Sequence, residues 1–191
     1  MGNLAGKPML LVGGSVFAVH DEGDGVLIPN APGQYLPRLD HSYFDDETRP
    51  HLGAVLLKSR MLQPDQLDDA LSQQQGSGKR LGEILIERGW LFPQDLARGL
   101  ALQFGIDYVD IQRVSVDLRA AACLDPVIGQ RLSAVPVRFL GDGGVLVAVA
   151  DPTSASLAEV QASITRPVAF AVTELADIQQ AWRMILLGRQ P

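Results

Sequence analysis

The sequence predicts an α+β fold, in which a helical subdomain of four short helices precedes a small α/β subdomain with a mainly three-stranded sheet. Two observations carry this expectation. The stretch "HLGAVLLKSRMLQPDQLDDALSQQ" (51–74) aligns without gaps on "RLGEILIERGWLFPQDLARGLALQ" (80–103), so a 24-residue unit of helical period occurs twice. Beyond Gly105 the apolar pattern changes to one of strands. These shifts divide the chain into an N-terminal arm with short strands and a linker (1–49), a tandem-motif helical subdomain (50–106) and an α/β subdomain (107–191).

In the arm, "MLLVGGSVFAV" (9–19) and "GVLIP" (25–29) read as two strands, and a Pro/Gly-rich connector continues to Pro50. The first run is too short to span a bilayer and is broken by two glycines. Only Lys7 precedes it and no small-residue cleavage site stands out, which argues against a signal peptide. The expectation is a cytoplasmic protein without direct membrane insertion.

Between the two copies the identical pairs are Leu52/Leu81, Gly53/Gly82, Leu56/Leu85, Leu62/Leu91, Pro64/Pro93, Leu67/Leu96, Leu71/Leu100 and Gln74/Gln103. Average residue usage would give about two identities by chance. Leu52, Val55 and Leu56, like Leu81, Ile84 and Leu85, fall at helical spacing, so each copy opens with a short helix. Gly89 suits a left-handed cap at the end of the second copy's first helix. Pro64 and Pro93 then suit the first position of a second helix. In that helix Leu67, Leu71 and Gln74 share one face, as do Leu96, Leu100 and Gln103. A glutamine ending an apolar stripe can meet a ligand edge. It can equally be a wet C-terminal residue on a packed bundle. "QGSGK" (75–79) reads as a flexible spacer between the copies.

Further on, 118–131 reads as one or two short helices broken at Pro126, with Cys123 a small buried apolar residue. Val135–Phe139 and Val145–Val149 read as a hairpin across a glycine-rich turn. "DPTSASLAEVQASI" turns into a helix capped by Thr153 or Ser154, "PVAFAVTE" is a third strand, and "LADIQQAWRMILLG" is an amphipathic terminal helix anchored by Trp182.

Several chemistries are excluded by composition and spacing. Gly76-Ser77-Gly78-Lys79 resembles the end of a P-loop, but Gln73 stands where the first glycine is needed and Arg80 where a hydroxyl should hold Mg²⁺. The dinucleotide fingerprint fails because position 81 is leucine and no strand precedes it. His20, His41 and His51 lack metalloprotease spacing, and no G-x-S-x-G elbow occurs. Asp45-Asp46-Glu47 reads as a solvated charge patch. A lone cysteine precludes an internal disulfide or a multi-cysteine zinc site and fits a reducing compartment. The net charge of -6 argues against DNA or RNA as partners. The expectation is a chain with no catalytic residues, no metal site and no cofactor.

The tandem unit resembles the MshEN domain, the N-terminal domain of type II secretion (GspE-like) and type IV pilus ATPases. Its motif runs R-L-G-x-x-L-[LVI]-x-x-G-[LVI]-[LVI], then two leucines and a final glutamine, with five residues between copies. "GIDYVDI" (105–111) and "VPVRF…GGVLVAVADPTSASLAEVQ" (135–161) extend the likeness, which covers about Pro50 to Gly188. The resemblance implies binding of the bacterial second messenger cyclic di-GMP, each copy holding about half of it. The positions carried over are His51, Leu52, Gly53, Leu67, Leu71 and Gln74 in the first copy, and Arg80, Leu81, Gly82, Leu96, Leu100 and Gln103 in the second. Leu-Gly at a helix start presents free N–H groups to a phosphate, and glycine permits close approach. Arginine can pair with phosphate or fork onto guanine O6 and N7, the leucines supply apolar contact, and the glutamines hydrogen-bond.

The first copy departs from the motif at two places. His51 stands where the family has arginine, and a neutral imidazole offers neither fixed charge nor fork. Arg60 stands in a glycine slot, at a cost of about 1 kcal/mol if that slot is left-handed. Arg60 can instead supply the missing charge. The expected function is therefore a non-catalytic cyclic di-GMP-binding regulatory domain or adaptor, free-standing or part of a longer protein. Its protein partner would belong to a secretion, pilus or envelope-polysaccharide machine. The alternative is a protein–protein docking module of the same family that has lost the ligand.

Overall fold

A computed structural model describes residues 9–12, 15–18 and 49–188. The chain divides into two compact units, Met1–Gln34 and Tyr35–Pro191. In the first, β1 (Met9–Val12) and β2 (Ser15–Ala18) pair antiparallel, with Val12 opposite Ser15. The run read as a single strand is therefore a hairpin. The second expected strand (25–29) and the connector through residue 48 lie outside the described residues.

The second unit opens with the four expected helices: α1 (Leu52–Lys58), α2 (Pro64–Ser77), α3 (Leu81–Glu87) and α4 (Pro93–Phe104). Pro64 and Pro93 each start their helix, where a missing N–H costs nothing. The copies do not fold as separate hairpins. α1 packs on α4 and α2 on α3, so each copy closes on the other. Their shared core is Leu56, Leu62, Ala70, Ile84, Leu85 and Leu91, and its burial drives the pairing. A β-carbon on Gly99 would lie 2.7 Å from Leu56 Cδ2, so this glycine lets α1 and α4 approach.

The spacer is not a flexible linker. α2 continues through Gly76 and Ser77, and Gly78 (φ 68°) caps it in the left-handed region, its N–H donating to Gln74 O. Propagating a helix already nucleated by packing is easier than ending it at a single tolerated glycine.

After α4 come β3 (Asp107–Tyr108), α5 (Ile111–Val114), α6 (Leu118–Ala121), α7 (Pro126–Arg131), β4 (Ala134–Phe139), β5 (Val145–Val149), α8 (Ser154–Ser163), β6 (Val168–Val172) and α9 (Leu175–Leu187). The sheet has four strands rather than three, in the order β3-β6-β5-β4. β3 pairs parallel to β6, β6 parallel to β5, and β5 antiparallel to β4. The extra strand is two residues long and shows no period of its own. β5 (VLVAV) is buried at all five positions, as a central strand should be.

Thr153 caps α8, its hydroxyl accepting from Ser156 N–H at 3.3 Å. Trp182 of α9 is 1% exposed, and its indole N–H donates to Ala134 O at 2.8 Å. Cys123 is only half-buried, at the rim of the core. α4 belongs to both cores: Gly99 meets α1, while Ala97 and Ala101 join the core beneath the sheet, and the helix packs against β3 and β6.

Candidate functional site

The site grows from the starts of α1 and α3. His51 and Arg80 are the cap residues, both exposed and both with extended backbone. Arg80 N–H donates to Glu83 Oε2 at 3.1 Å, which fixes the chain's entry into α3. The Leu-Gly step that follows has a packing reason in each copy. A β-carbon at Gly53 would stand 2.8 Å from Leu67 Cδ1, and one at Gly82 would stand 2.8 Å from Leu96 Cδ1. The second helix's leucine thus lies directly over the first helix's glycine, at equivalent places in the two copies.

The terminal glutamines are tied in an equally matched way. Gln74 Nε2 donates to Lys79 O at 3.2 Å, and Gln103 Nε2 donates to Pro50 O at 3.0 Å. Lys79 and Pro50 immediately precede Arg80 and His51. Each copy's last residue therefore holds the segment leading into the other copy's first helix. Neither glutamine is simply wet.

A cleft of about 360 Å³ opens between these helices and the sheet. Leu52, Arg80, Leu81, Gly82, Leu96 and Leu100 line it. The other carried-over residues do not. Gly53 and Leu67 pack together, Gln74 and Gln103 hold backbone, His51 is exposed, and Leu71 is 40% exposed on the surface of α2.

The opposite wall comes from the sheet, at the carboxyl ends of two adjacent parallel strands: Ala150 and Asp151 after β5, Thr173 and Glu174 after β6. Arg80 Nη1 donates to Asp151 Oδ2 at 2.5 Å, although the arginine side chain remains 68% exposed. The bond to Asp151 raises the guanidinium's pKa further, so it stays charged. Glu174 accepts from Tyr108 O–H at 2.9 Å. Burial pushes the Glu174 carboxyl up, and its hydrogen bond with Asp177 adds to this. The cleft is thus apolar along the helices, and its charged groups are Arg80, paired across it with Asp151, and the carboxylates Glu83 and Glu174.

The sequence reading missed Asp151, Thr173 and Glu174. The available signal was that "VADP" and "VTE" both follow strands, since α/β sheets gather ligands at the carboxyl ends of parallel strands. Among the described residues no cluster of three or more His, Cys, Asp or Glu is placed to hold a metal. No described helix is long and apolar enough to cross a membrane.

The MshEN domain family model matches residues 104–190. The matched segment begins at the last residue of α4 and takes in the four-stranded sheet, and the tandem motif lies ahead of it. A solved structure of MshE with cdg (cyclic di-GMP) has a TM-score of 0.65 and 27% identity, and covers 72% of this chain and 99% of that one. That share exceeds the segment matched by the family model, so the likeness continues beyond it. The N-terminal domain of XpsE has the same fold, with a TM-score of 0.56, 22% identity, and coverage of 72% and 93%. The type IV pilus assembly ATPase PilB of Thermus thermophilus is 32% identical over 112 residues, which is 58% of this chain and 13% of that protein. PilB of Myxococcus xanthus is 25% identical over 103 residues, 54% and 18% respectively. The chain spans less than a fifth of either curated relative.

Proposed function

We propose that the chain is a non-catalytic, cyclic di-GMP-binding regulatory domain or adaptor of a secretion, pilus or envelope-polysaccharide system. The observation that carries this reading is the matched pair of half-sites. Each copy sets a leucine over a glycine at a helix start and holds the other copy's entry segment through a glutamine amide. A ligand made of two identical halves fits such a duplicated frame, and the likeness to MshE solved with cdg supports the choice.

In this reading Leu81, Leu96 and Leu100 give apolar contact, and Arg80 reads phosphate or the guanine edge. Arg80 also bonds Asp151 of the sheet. Recruiting the guanidinium to a ligand resets that contact between helices and sheet. The resulting shift is bounded by the ligand's differential affinity for the two arrangements.

Thermal unfolding with and without cyclic di-GMP tests this. The ligand raises the melting temperature of the natural chain by mass action and leaves that of Arg80→Ala nearly unmoved, because Arg80 is exposed and contributes little to the core. Equal shifts in both proteins would remove Arg80 from the site.

A second reading is the docking module that has lost the ligand. One observation favours it: the cleft gathers Leu52 alone from the first copy's carried-over positions. A folded natural chain with no ligand-induced shift would select that reading.

A further inference from the structure

The residues lining the cleft include the one buried side-chain polar atom that lacks a hydrogen-bond partner among the described residues. Thr173, the first residue after β6, is 1% exposed. Its hydroxyl has no hydrogen-bond partner among the described residues, although the residue lines the cleft beside Arg80, Asp151 and Glu174. A buried hydroxyl without a partner is costly, and valine would fill the same volume without that cost.

The backbone fixes where this side chain sits. Thr173 N–H donates to Val149 O at 3.0 Å, so the ladder between the parallel strands β5 and β6 sets its position. Along this row Asp151 is occupied by Arg80 and Glu174 by the Tyr108 hydroxyl. Thr173 Oγ1 is left unmatched, at a strand end where sheets of this kind take ligands.

We propose that Thr173 Oγ1 is a ligand-contacting group, through which the sheet hydrogen-bonds a guanine base held by the second copy of the motif. This rests on the reading of the chain as a cyclic di-GMP binder. A hydroxyl both donates and accepts, which suits the guanine edge where a carbonyl oxygen adjoins an N–H. Leu81, Leu96 and Leu100 line the apolar side of the same cleft. The bound base then touches helix and sheet together, so the sheet takes part in recognition as well as in transmitting it.

Calorimetric titration with cyclic di-GMP and thermal unfolding without ligand, on Thr173→Val and Thr173→Ser, test the assignment. Thr173→Val should melt no lower than the natural chain, because it removes an unpaired hydroxyl at constant shape. It should bind about five- to tenfold more weakly, the loss expected for one hydrogen bond. Thr173→Ser keeps the hydroxyl and should keep most of the affinity. Unchanged affinity in Thr173→Val, with the natural chain binding, would overturn the proposal and leave the cyclic di-GMP reading standing. A lower melting temperature for the ligand-free Val variant would make the hydroxyl structural and also overturn it. No binding by the natural chain would remove the reading itself, and this proposal with it.

Discussion

Arg60 and Gly89 hold the same place in the two copies, and both are left-handed, at φ 57° and 67°. Glycine adopts that conformation freely, whereas a side chain there costs about 1 kcal/mol. Arg60→Gly should therefore raise the unfolding free energy by about 1 kcal/mol in chemical denaturation, and an unchanged midpoint would mean that contacts of Arg60 offset the strain. Gly82 makes the opposite case. A side chain at Gly82 collides with Leu96, so Gly82→Val should destabilise by about 1–3 kcal/mol. Adding Leu96→Ala should recover part of that loss, and strict additivity in the double-mutant cycle would show that the two residues do not share the space. The repeat alone reveals that glycine and leucine recur at fixed offsets. It does not reveal that they touch each other, because contact depends on how the two helices cross. That is why Gly53, Gly82, Leu67 and Leu96 read from sequence only as ligand contacts, while the structure shows all four packing in pairs, with Gly82 and Leu96 also lining the cleft. His51→Arg, which restores the motif's charge at an exposed cap, should tighten cyclic di-GMP binding by roughly tenfold if the first copy reads the ligand. Equal affinities in a direct titration would mean that it does not.

The elements legible in the sequence are those with a period to read. α1 to α4, β4, β5, α8, β6 and α9 all carry one, together with proline starts, a threonine cap or glycine ends. β3 is two residues long, and its parallel pairing with β6 is a tertiary choice that no local pattern announces. α9 shows what holds these elements together: Trp182 packs over Gly129 of α7 and donates to Ala134 O. Trp182→Phe loses that donor and leaves a buried carbonyl short of a partner, at a cost of about 1–3 kcal/mol in thermal unfolding. The junction of β6 and α9 carries a pH dependence. Burial, then Asp177, hold the Glu174 carboxyl above the usual carboxylate range. The folded state thus binds the proton more tightly than the unfolded chain does. Stability falls as pH rises from the ordinary carboxylate range through the raised folded value. Glu174→Gln should flatten that slope in denaturation curves taken across mildly acidic pH, and an unaltered slope would assign the effect to other groups.

In the second unit as a whole, α4 joins the two parts, because Ala97 and Ala101 enter the core of the sheet and Leu96 packs against that of the helices. On the proposed reading, a ligand in the cleft beside it would touch both the helices and the strand ends, which would link binding to the relative packing of the two parts. The helical half of the cleft was legible in the sequence because the motif repeats. The sheet half was not, because Asp151, Thr173 and Glu174 converge only once β5 and β6 lie parallel and adjacent. On the proposed reading, both copies together form one site for cyclic di-GMP. Isothermal titration of cyclic di-GMP into the chain tests it most directly. A single site gives a saturable heat with one ligand per chain, whereas no heat at ligand concentrations well above micromolar, with the protein folded, would rule it out.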